Sequence, residues 1–341
     1  MFKVFFTTFY NSFFNNFYVK ILRMKENDVL SVIKSALSDS SYIGDDCAYL
    51  KDLGLYVTQD TLVEGVHFNL SYMTPYQLGI KAVTVNISDL FASICTPLYI
   101  TVSLSLPKTT DIKFVDELYR GINFACCKYE VKVIGGDITG SDKVVISIAA
   151  IGKKRLKNEV SRSFAKEDNF IIATGTFGAA SAGLYALEHN IPAPKIITDA
   201  FLTPETRPLE SWKIMGQINY DVAGTDSSDS LAETLFRVAE SSGISIKMHY
   251  NDIPVLPEVR EFAKQNNIDE KDFVLWGGED YELIYFVEYW SFSAMSTDLF
   301  SYIGMTVSKT DNPTITVYDN QNTIVIDRTM IEQKSFNHFG G

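Results

Sequence analysis

The chain has 341 residues, of which 46% are hydrophobic and 21% charged, and its formal net charge is −12. A chain of this length usually divides into two domains, and the composition is typical of a globular protein with well-filled cores. The acidic balance argues against nucleic-acid binding, which depends largely on Lys and Arg, and an acidic protein that handles phosphates needs metal ions. The four cysteines form neither a C-x-x-C pair nor a zinc spacing, so we expect reduced thiols and a cytoplasmic protein.

The first 23 residues form a leader that differs from the rest, because phenylalanines alternate there with Asn, Ser and Thr. The apolar run is too short and too broken for a membrane-spanning helix, and it lacks the small-residue cleavage site of a signal peptide. From Met24 onward the sequence has the period of an amphipathic helix. We therefore expect the fold to begin near Met24, with residues 1–23 outside it and no stable membrane insertion. A weak membrane-surface anchor is the alternative.

Acidic residues stand at turns and strand ends in the first half of the chain. Gly44 permits a sharp turn that projects Asp45 and Asp46 together, and the strand predicted over residues 55–58 runs on to Asp60. Two carboxylates about 4 Å apart near a protein surface repel by roughly 4 kcal/mol, so converging aspartates need water or a cation between them. An ordinary Asp-rich turn would explain Asp45 and Asp46 alone. The further acid Asp60, at a neighbouring strand end, favours a metal site.

A helix is predicted to begin at Thr74 and Pro75, which suit the N-cap and the first helical position. Asp89 falls on the apolar face of this helix, three residues after Asn86. An acid on an otherwise apolar face is informative, and we favour a functional role over local pairing of Asp89 with Asn86 or Lys81.

A pair of glycines precedes Asp137 at the end of a short predicted strand. Such glycines let a ligand or a neighbouring backbone approach, with Asp137 presented at the strand end. A basic break at residues 152–155 marks the expected domain boundary. The pattern around these positions predicts strands over 98–106, 131–134 and 143–151 and a helix over 111–129.

The second half repeats the mixed pattern of helices and strands. After a strand at 170–174, the glycine spacing in residues 175–183 does not fit a dinucleotide fingerprint, so small residues that pack a helix on a sheet are the better explanation. No P-loop sequence occurs in the chain. Residues 192–208 are predicted to be mostly irregular.

Two acid-rich stretches stand out in this half. Asp226 to Asp229 contains more acids and serines than a helix cap needs, although Ser228 or Asp229 would cap the helix that follows. Residues 277–282 combine a glycine pair, three acids and a tyrosine before the strand predicted at 283–287. This second stretch indicates the wall of a site, with a solvated acidic turn as the alternative.

Five motifs, in the same order, resemble those of the thiamine-monophosphate kinase family. They are Gly44-Asp45-Asp46-Cys47-Ala48, residues 60–68 (DTLVEGVHF), Asn86-Ile87-Ser88-Asp89-Leu90, Gly135-Gly136-Asp137 and residues 277–283 (GGEDYEL). The resemblance extends from about Met24 to Phe339. Its wider superfamily of ATP-binding proteins includes aminoimidazole ribonucleotide synthetase, selenophosphate synthetase and a hydrogenase-maturation protein.

The resemblance implies a two-domain fold. An N-terminal α/β domain over residues 24–154 would bind ATP and metal, and its sheet would form a shared barrel in a homodimer. An α+β domain would follow over residues 155–341, with the active-site cleft between the two. The implied reaction is the ATP-dependent phosphorylation of thiamine monophosphate to thiamine diphosphate, with magnesium as the cofactor.

The resemblance also implies the site residues. The implied magnesium ligands are Asp46, Thr58, Gln59, Asp60, Asp89, Asp137, Asp226 and Asp229, of which Asp60, Asp137 and Asp229 are assigned to catalysis. We expect Asp45, which stands beside them, to contribute to the metal site as well. The implied ATP contacts are Gly136, Asp137, Arg162 and Ser228, and the implied substrate contacts are His67 and Glu279. So many scattered oxygen ligands suit several magnesium ions. We expect direct in-line transfer without a phosphoenzyme, because positioning and charge neutralisation dominate phosphoryl transfer.

Three positions depart from the family pattern. Ser230 stands where the family usually has the glycine of Asp-x-Ser-Asp-Gly, which would tighten the turn, and Ile138 replaces a threonine. Gln333 stands where a tryptophan can pack on the substrate. Two alternative functions stay open: a superfamily enzyme that uses ATP to activate another small acceptor, and a non-catalytic nucleotide and metal binder.

Overall fold

The computed structural model describes residues 26–295, 298–320 and 322–336. The predictions for the leader, residues 1–23, lie outside these ranges. Helix α1 (Glu26–Ala36) confirms the amphipathic helix predicted near the start and belongs to one compact unit, while Asp45–Lys334 forms another. Within the described ranges, no helix has the length and apolar character needed to cross a membrane.

A five-stranded sheet forms the first part of the larger unit. Its strands are β1 (Ala48–Leu50), β2 (Leu55–Val63), β3 (Cys95–Leu106), β4 (Lys132–Gly140) and β5 (Val145–Lys154), in the order β1-β2-β5-β3-β4. Neighbouring strands are antiparallel except β3 and β4. Helices α2 (Pro75–Ala92) and α3 (Ile112–Lys128) belong to the same region. Alternate residues of β5 are buried, as expected for a sheet with one covered face.

Helix α2 is nearly all buried, and its start is fixed by the predicted cap. Thr74 and Gln77 form a capping box, and Pro75 occupies the first turn. Two glycines allow α2 and α3 to touch: a Cβ at Gly79 or at Gly121 would lie 2.2 or 2.0 Å from a carbonyl oxygen of the other helix. The backbone contact holds α2 firmly, so the polar side chains that it carries have defined positions.

A seven-stranded sheet forms the second part, in the order β12-β11-β8-β10-β6-β9-β7. Its strands are β6 (Phe170–Ala173), β7 (Ala223–Asp226), β8 (Ile244–His249), β9 (Leu283–Val287), β10 (Ser301–Lys309), β11 (Ile315–Asp319) and β12 (Asn322–Ile326). Its helices are α4 (Ala179–Glu188), α5 (Lys195–Leu202), α6 (Pro208–Met215), α7 (Leu231–Ser242), α8 (Pro257–Gln265), α9 (Glu270–Val274), α10 (Tyr289–Ser293) and α11 (Arg328–Lys334). The strand predicted at 283–287 is confirmed as β9.

The structure corrects three predictions. Helix α5 lies in the stretch predicted to be irregular, because Ile197, Phe201 and Leu202 recur at helical spacing and are buried. The strand predicted over 143–151 continues through most of the basic stretch, since β5 ends at Lys154. The short strand at 131–134 runs on through the glycines to Gly140 as the edge strand β4.

Candidate active site

Three aspartates from distant parts of the chain meet in one place, which we call the acid cluster: Asp46, Asp89 and Asp226. One carboxylate oxygen of each lies within 4.8 Å of the other two. Asp46 precedes β1, Asp89 lies on α2, and Asp226 is the last residue of β7. Both sheet regions therefore contribute to the acid cluster.

The surroundings of the acid cluster disfavour its charge. Loss of contact with water is the largest cause that raises the pKa of Asp46, Asp89 and Asp226, and the charges of nearby aspartates raise these pKa values further. Carboxylates this close repel strongly where water is excluded. The acid cluster must therefore be balanced by bound protons or by a cation.

Two hydroxyl groups donate hydrogen bonds to carboxylates of the acid cluster, and one buried carboxylate oxygen receives none from the described residues. Thr58 Oγ1 donates to Asp89 Oδ2 at 2.5 Å, and Ser88 Oγ donates to Asp226 Oδ2 at 2.5 Å. Asp226 Oδ1 is buried without a hydrogen-bond partner among the described residues. A buried polar atom is costly unless an ion or water satisfies it. Since carboxylate oxygens are the ligands that Mg²⁺ prefers, these residues fit a divalent cation.

Asp60 extends the acid cluster from strand β2. Its backbone N–H donates to Asn86 Oδ1 at 3.0 Å, which fixes the strand against α2. The pKa of Asp60 is raised to about 6, with burial as the largest cause and the charges of Asp46 and Asp229 as further causes. Asp60 therefore lies close enough to the acid cluster to interact with its charge.

Arg162 places a positive charge beside the acid cluster. Its Nη2 donates to Asp46 Oδ1, and its Nε donates to Thr225 Oγ1 at 3.4 Å. Asp45 does not join the acid cluster, because its carboxylate accepts hydrogen bonds from Ser161 Oγ at 2.9 Å and from the Arg162 backbone N–H at 2.7 Å. Asp45 thus holds the segment that carries Arg162.

The two acid-rich stretches of the second half form one wall. The Glu279 N–H donates to Ser228 O at 2.8 Å, and the Tyr281 N–H donates to Ser227 O at 2.9 Å. Glu279 and Tyr281 have positive φ angles of 66° and 53°. This conformation is unfavourable for residues with a Cβ and is concentrated at functional sites. The geometry supports the prediction of a site wall over the alternative of a plain solvated turn.

Comparison with known proteins identifies the family. Residues 44–153 match the family model for AIR synthase related protein, N-terminal domain. Thiamine-monophosphate kinase of Bacillus subtilis is 32% identical over 311 residues, which cover 87% of this chain and 93% of that protein. The same enzyme of Aquifex aeolicus is 31% identical over 270 residues, with 78% and 87% covered. This chain belongs to the thiamine-monophosphate kinase family.

The fold agrees with this family membership. The solved structure of AaThiL complexed with AMPPCP and TMP is 28% identical, with a TM-score of 0.80, and the match covers 92% of this chain and 97% of that one. The resemblance found in the sequence is confirmed, as is a two-sheet α/β fold of the aminoimidazole ribonucleotide synthetase type.

Besides Asp45, two of the expected magnesium ligands lie away from the acid cluster. Gln59 is on the face of β2 opposite to Asp60, and its Nε2 donates to Ser147 Oγ at 3.1 Å. Asp137 on β4 pairs in register with Ser103 on β3, which pairs with Ser147 on β5. Asp137 therefore shares the face of Gln59 and lies three strand spacings, about 14 Å, from β2. One chain alone does not bring Asp137 to the acid cluster.

The remaining ATP residues implied by the family have clear structural roles. A Cβ at Gly136 would lie 1.8 Å from Val102 O, so the close pairing of β4 with β3 requires this glycine. Ser228 is exposed, and its carbonyl oxygen holds the Glu279 N–H. The neighbouring Asp229, which is expected as a magnesium ligand, forms an ion pair with Arg237 at 3.0 Å.

The two expected substrate residues are held in different ways. His67 Nδ1 accepts a hydrogen bond from the Val63 N–H at 3.0 Å, so the neutral ring carries its proton on Nε2. Glu279 Oε2 accepts a hydrogen bond from Lys81 Nζ at 2.8 Å. The possibility of a local pair between Asp89 and Lys81 or Asn86 is wrong, because Thr58 bonds Asp89 and each of the others has another partner.

Ser230 replaces the usual family glycine without straining the turn. Its φ of −59° lies outside the left-handed region, so the position does not require glycine. Its hydroxyl accepts a hydrogen bond from the Glu233 N–H at 3.2 Å and caps α7. The prediction that Ser228 or Asp229 caps this helix is therefore wrong, because the helix starts one residue after Ser230.

Sequence reasoning missed several residues that shape the site. Asp280 accepts hydrogen bonds from the Gly178 N–H at 3.0 and 3.1 Å and thus occupies the N-terminus of α4. Glu282 is buried and forms a two-point ion pair with Arg207 at 2.8 and 2.6 Å. Lys81 and Ser88 were detectable in principle, since both are polar residues in an apolar helix, but their partners are more than 130 residues away.

Proposed function

We propose that this protein transfers the γ-phosphoryl group of ATP to thiamine monophosphate and releases ADP and thiamine diphosphate. The acid cluster carries this proposal, because three converging carboxylates with one unpartnered buried oxygen suit a divalent cation at a phosphate site. Family membership supports the choice of substrates, since the relatives are thiamine-monophosphate kinases and AaThiL forms a complex with AMPPCP and TMP.

Asp46, Asp89 and Asp226 would hold magnesium, with Asp60 and Thr58 beside them. Magnesium supplies positive charge that offsets the charge of the transferring phosphoryl group. The acid cluster is anchored by hydroxyl groups and buried, so its residues need little rearrangement when the cation binds. Several ions would require further ligands, for which Asp229 and Asp137 are the candidates.

The transfer step that we propose is direct and in line. An oxygen of the thiamine phosphate attacks the γ-phosphorus, a new P–O bond forms, and the bond from the γ-phosphorus to the bridging oxygen breaks with its electron pair leaving on ADP. The acceptor needs no strong general base, since a phosphate monoester loses its second proton at a pH of about 6. Arg162, held on Asp46 and Thr225, would add a fixed positive charge near the polyphosphate.

His67 and Glu279 would bind the acceptor. The proton on His67 Nε2 suits a hydrogen bond to a phosphate oxygen, because Nδ1 is occupied by the Val63 N–H. The carboxylate of Glu279 suits the positively charged thiazolium ring. Gly136 and Ser228 would lie along the ATP, with their backbone positions set by β3 and by Glu279.

We also propose a homodimer, with domains that divide between residues 154 and 155. Every residue of β4 is exposed, including Ile134 and Ile138, which are 56% and 72% exposed. Exposed edge strands with apolar residues are usually covered by another chain or segment. A second copy over this face would form the shared barrel and enclose Asp137. Light scattering on the purified protein measures whether the particle has twice the mass of the chain.

The decisive test of the reaction is mass detection of thiamine diphosphate from purified protein, ATP, magnesium and thiamine monophosphate. We expect one thiamine diphosphate for each ADP. Asp226→Asn should lower kcat by about 100-fold or more, the range seen when a charge-stabilising group is removed. Asp52→Asn, in an exposed turn, is the matched control and should leave kcat unchanged. Release of ADP without thiamine diphosphate, or a phosphorylated protein trapped with ATP alone, would contradict the proposal.

A further inference from the structure

Lys81 carries a buried ammonium group. The stability of the fold does not explain why a charged residue occupies this position. Its side chain is fully buried in α2, and Nζ lies 2.8 Å from Glu279 Oε2 and 3.5 Å from the centroid of the Phe201 ring. Burial lowers the pKa of Lys81, and the charge of Glu279 opposes that shift. An apolar residue of similar size in place of a buried ion pair is often neutral or stabilising. A role in the site is therefore the better explanation.

The backbone of Glu279 is fixed without help from Lys81. Its N–H is bonded to Ser228 O, and the Tyr281 N–H is bonded to Ser227 O. The intervening Asp280 is bonded to Gly178. These backbone contacts do not fix the direction of the Glu279 carboxylate. Lys81 Nζ donates a hydrogen bond to one of the two carboxylate oxygens.

Aromatic residues lie next to the Lys81–Glu279 pair. Phe201 lies against Lys81 Nζ, and Tyr72 contacts Phe201 edge to face with ring centroids 6.2 Å apart. The Tyr281 hydroxyl lies 3.5 Å from Glu279 Oε1. A carboxylate beside aromatic rings is a favourable environment for an organic cation. Thiamine monophosphate carries such a cation in its thiazolium ring.

Lys81 and the acid cluster lie on one rigid helix. Asp89 follows Lys81 by eight residues, which corresponds to about 12 Å along the axis of α2. In thiamine monophosphate the charged thiazolium ring lies between the pyrimidine and the phosphate, and a two-carbon chain joins the ring to the phosphate. A helix that carries both Lys81 and Asp89 can therefore set the distance between the ring site and the phosphate site.

We propose that Lys81 is a positioning residue for the acceptor: it directs the Glu279 carboxylate toward the cationic ring of thiamine monophosphate. The inference rests on the proposed function and adds to it a residue that acts through Glu279. Lys81 does not touch the reacting atoms, so its removal should weaken the binding of one substrate and leave the other unaffected.

The test is a double-mutant cycle on steady-state kinetics with Lys81→Met, Glu279→Gln and both together. Lys81→Met should raise the KM for thiamine monophosphate by about tenfold or more, the effect of losing a hydrogen bond to a charged group, while the KM for ATP stays within about twofold. The double variant should show the same KM for thiamine monophosphate as Glu279→Gln alone. Lys128→Met is the matched control, because Lys128 forms an exposed ion pair with Glu205 and should change neither KM.

The outcomes separate the two proposals. If wild-type protein forms no thiamine diphosphate, the proposed function fails and this inference fails with it. If the wild type is active and Lys81→Met lowers the melting temperature without changing the KM for thiamine monophosphate, only the positioning role is overturned. If Lys81→Met does not fold, the double variant decides, since it leaves no unpaired carboxylate. A KM for thiamine monophosphate well above that of Glu279→Gln alone would then overturn the role.

Discussion

Ser88 Oγ donates a hydrogen bond to Asp226 Oδ2 at 2.5 Å, and this bond joins helix α2 to strand β7 across 138 positions of sequence. Both residues are buried. The bond lies where the helix of the first sheet region meets a strand of the second sheet, and it orients one carboxylate of the acid cluster. The geometry of the acid cluster therefore depends on how the two sheet regions pack.

Removal of the Ser88 hydroxyl should destabilise the protein and weaken its binding of magnesium. In Ser88→Ala, Asp226 Oδ2 loses its donor, and a buried polar atom without a partner costs about 1–3 kcal/mol. Urea unfolding measures the loss of stability, and magnesium titration of activity measures the metal effect. Ser71→Ala, on the surface, should stay within about 0.5 kcal/mol of wild type. Equal stability of both variants would show that the Ser88 bond is unimportant.

Ser230 should contribute stability as a helix cap. Its hydroxyl accepts from the Glu233 N–H, so Ser230→Ala should cost about 1 kcal/mol, whereas Ser230→Gly should cost only a few tenths. Thermal unfolding of the three proteins in the same buffer gives the order. A glycine variant that is more stable than wild type would show that the serine strains the turn, contrary to its φ of −59°.

The two glycines before Asp137 should differ sharply in their tolerance of a methyl group. A Cβ at Gly136 would lie 1.8 Å from Val102 O, whereas one at Gly135 meets no described atom within 4 Å. Gly136→Ala should therefore destabilise the protein by about 1–3 kcal/mol through forced backbone shifts, and Gly135→Ala should be nearly neutral. Urea unfolding of the two variants checks this. Similar stabilities would mean that β4 can move away from β3 at little cost.

Metal-free protein should lose stability as the pH rises through about 6. The folded-state pKa of Asp60 is raised from 3.8 to about 6, chiefly by burial, so the folded protein binds this proton more tightly than the unfolded chain does. Its stabilising effect is present below the unfolded pKa and is lost as the pH rises through the folded value. Melting temperatures in EDTA between pH 5 and pH 8 should fall more steeply for wild type than for Asp60→Asn.

Magnesium should reverse this loss, because the cation replaces the proton as the balancing charge. The increase in melting temperature on adding magnesium should therefore be larger at pH 8 than at pH 5. Two results would contradict an electrostatic interaction between Asp60 and the acid cluster. One is the same increase in melting temperature at both pH values. The other is the same dependence of the melting temperature on pH, in EDTA, for wild type and Asp60→Asn.

Local signals in the sequence predicted much of the fold. The cap at Thr74 and Pro75, the helix of residues 111–129 and strand β9 follow from caps and periodicity, and all three are present. Helix α5 was missed because its flanking prolines indicate irregular structure, whereas burial of Phe201 and its neighbours stabilises the helix. Local propensity does not include that tertiary contribution.

The candidate site was predictable in its acids and not in their partners. Asp46, Asp89 and Asp226 could be selected as unusual residues at strand ends and on an apolar face. Lys81, as partner of Glu279, and Asp45, as support for Arg162, depend on contacts between segments that are about 120 to 200 residues apart. No local pattern specifies such pairings. Asp137 shows the same limit, because its face of the sheet follows from strand register alone.

The most direct test of the central claim is a crystal structure of the protein grown with Mn²⁺ as a magnesium substitute and a non-hydrolysable ATP analogue. Anomalous scattering then locates the metal without assumptions about its ligands. We predict a Mn²⁺ peak within coordination distance of the carboxylates of Asp46, Asp89 and Asp226, and its loss in Asp226→Asn. An acid cluster without metal, in crystals of active protein that bind Mn²⁺ elsewhere, would contradict the account.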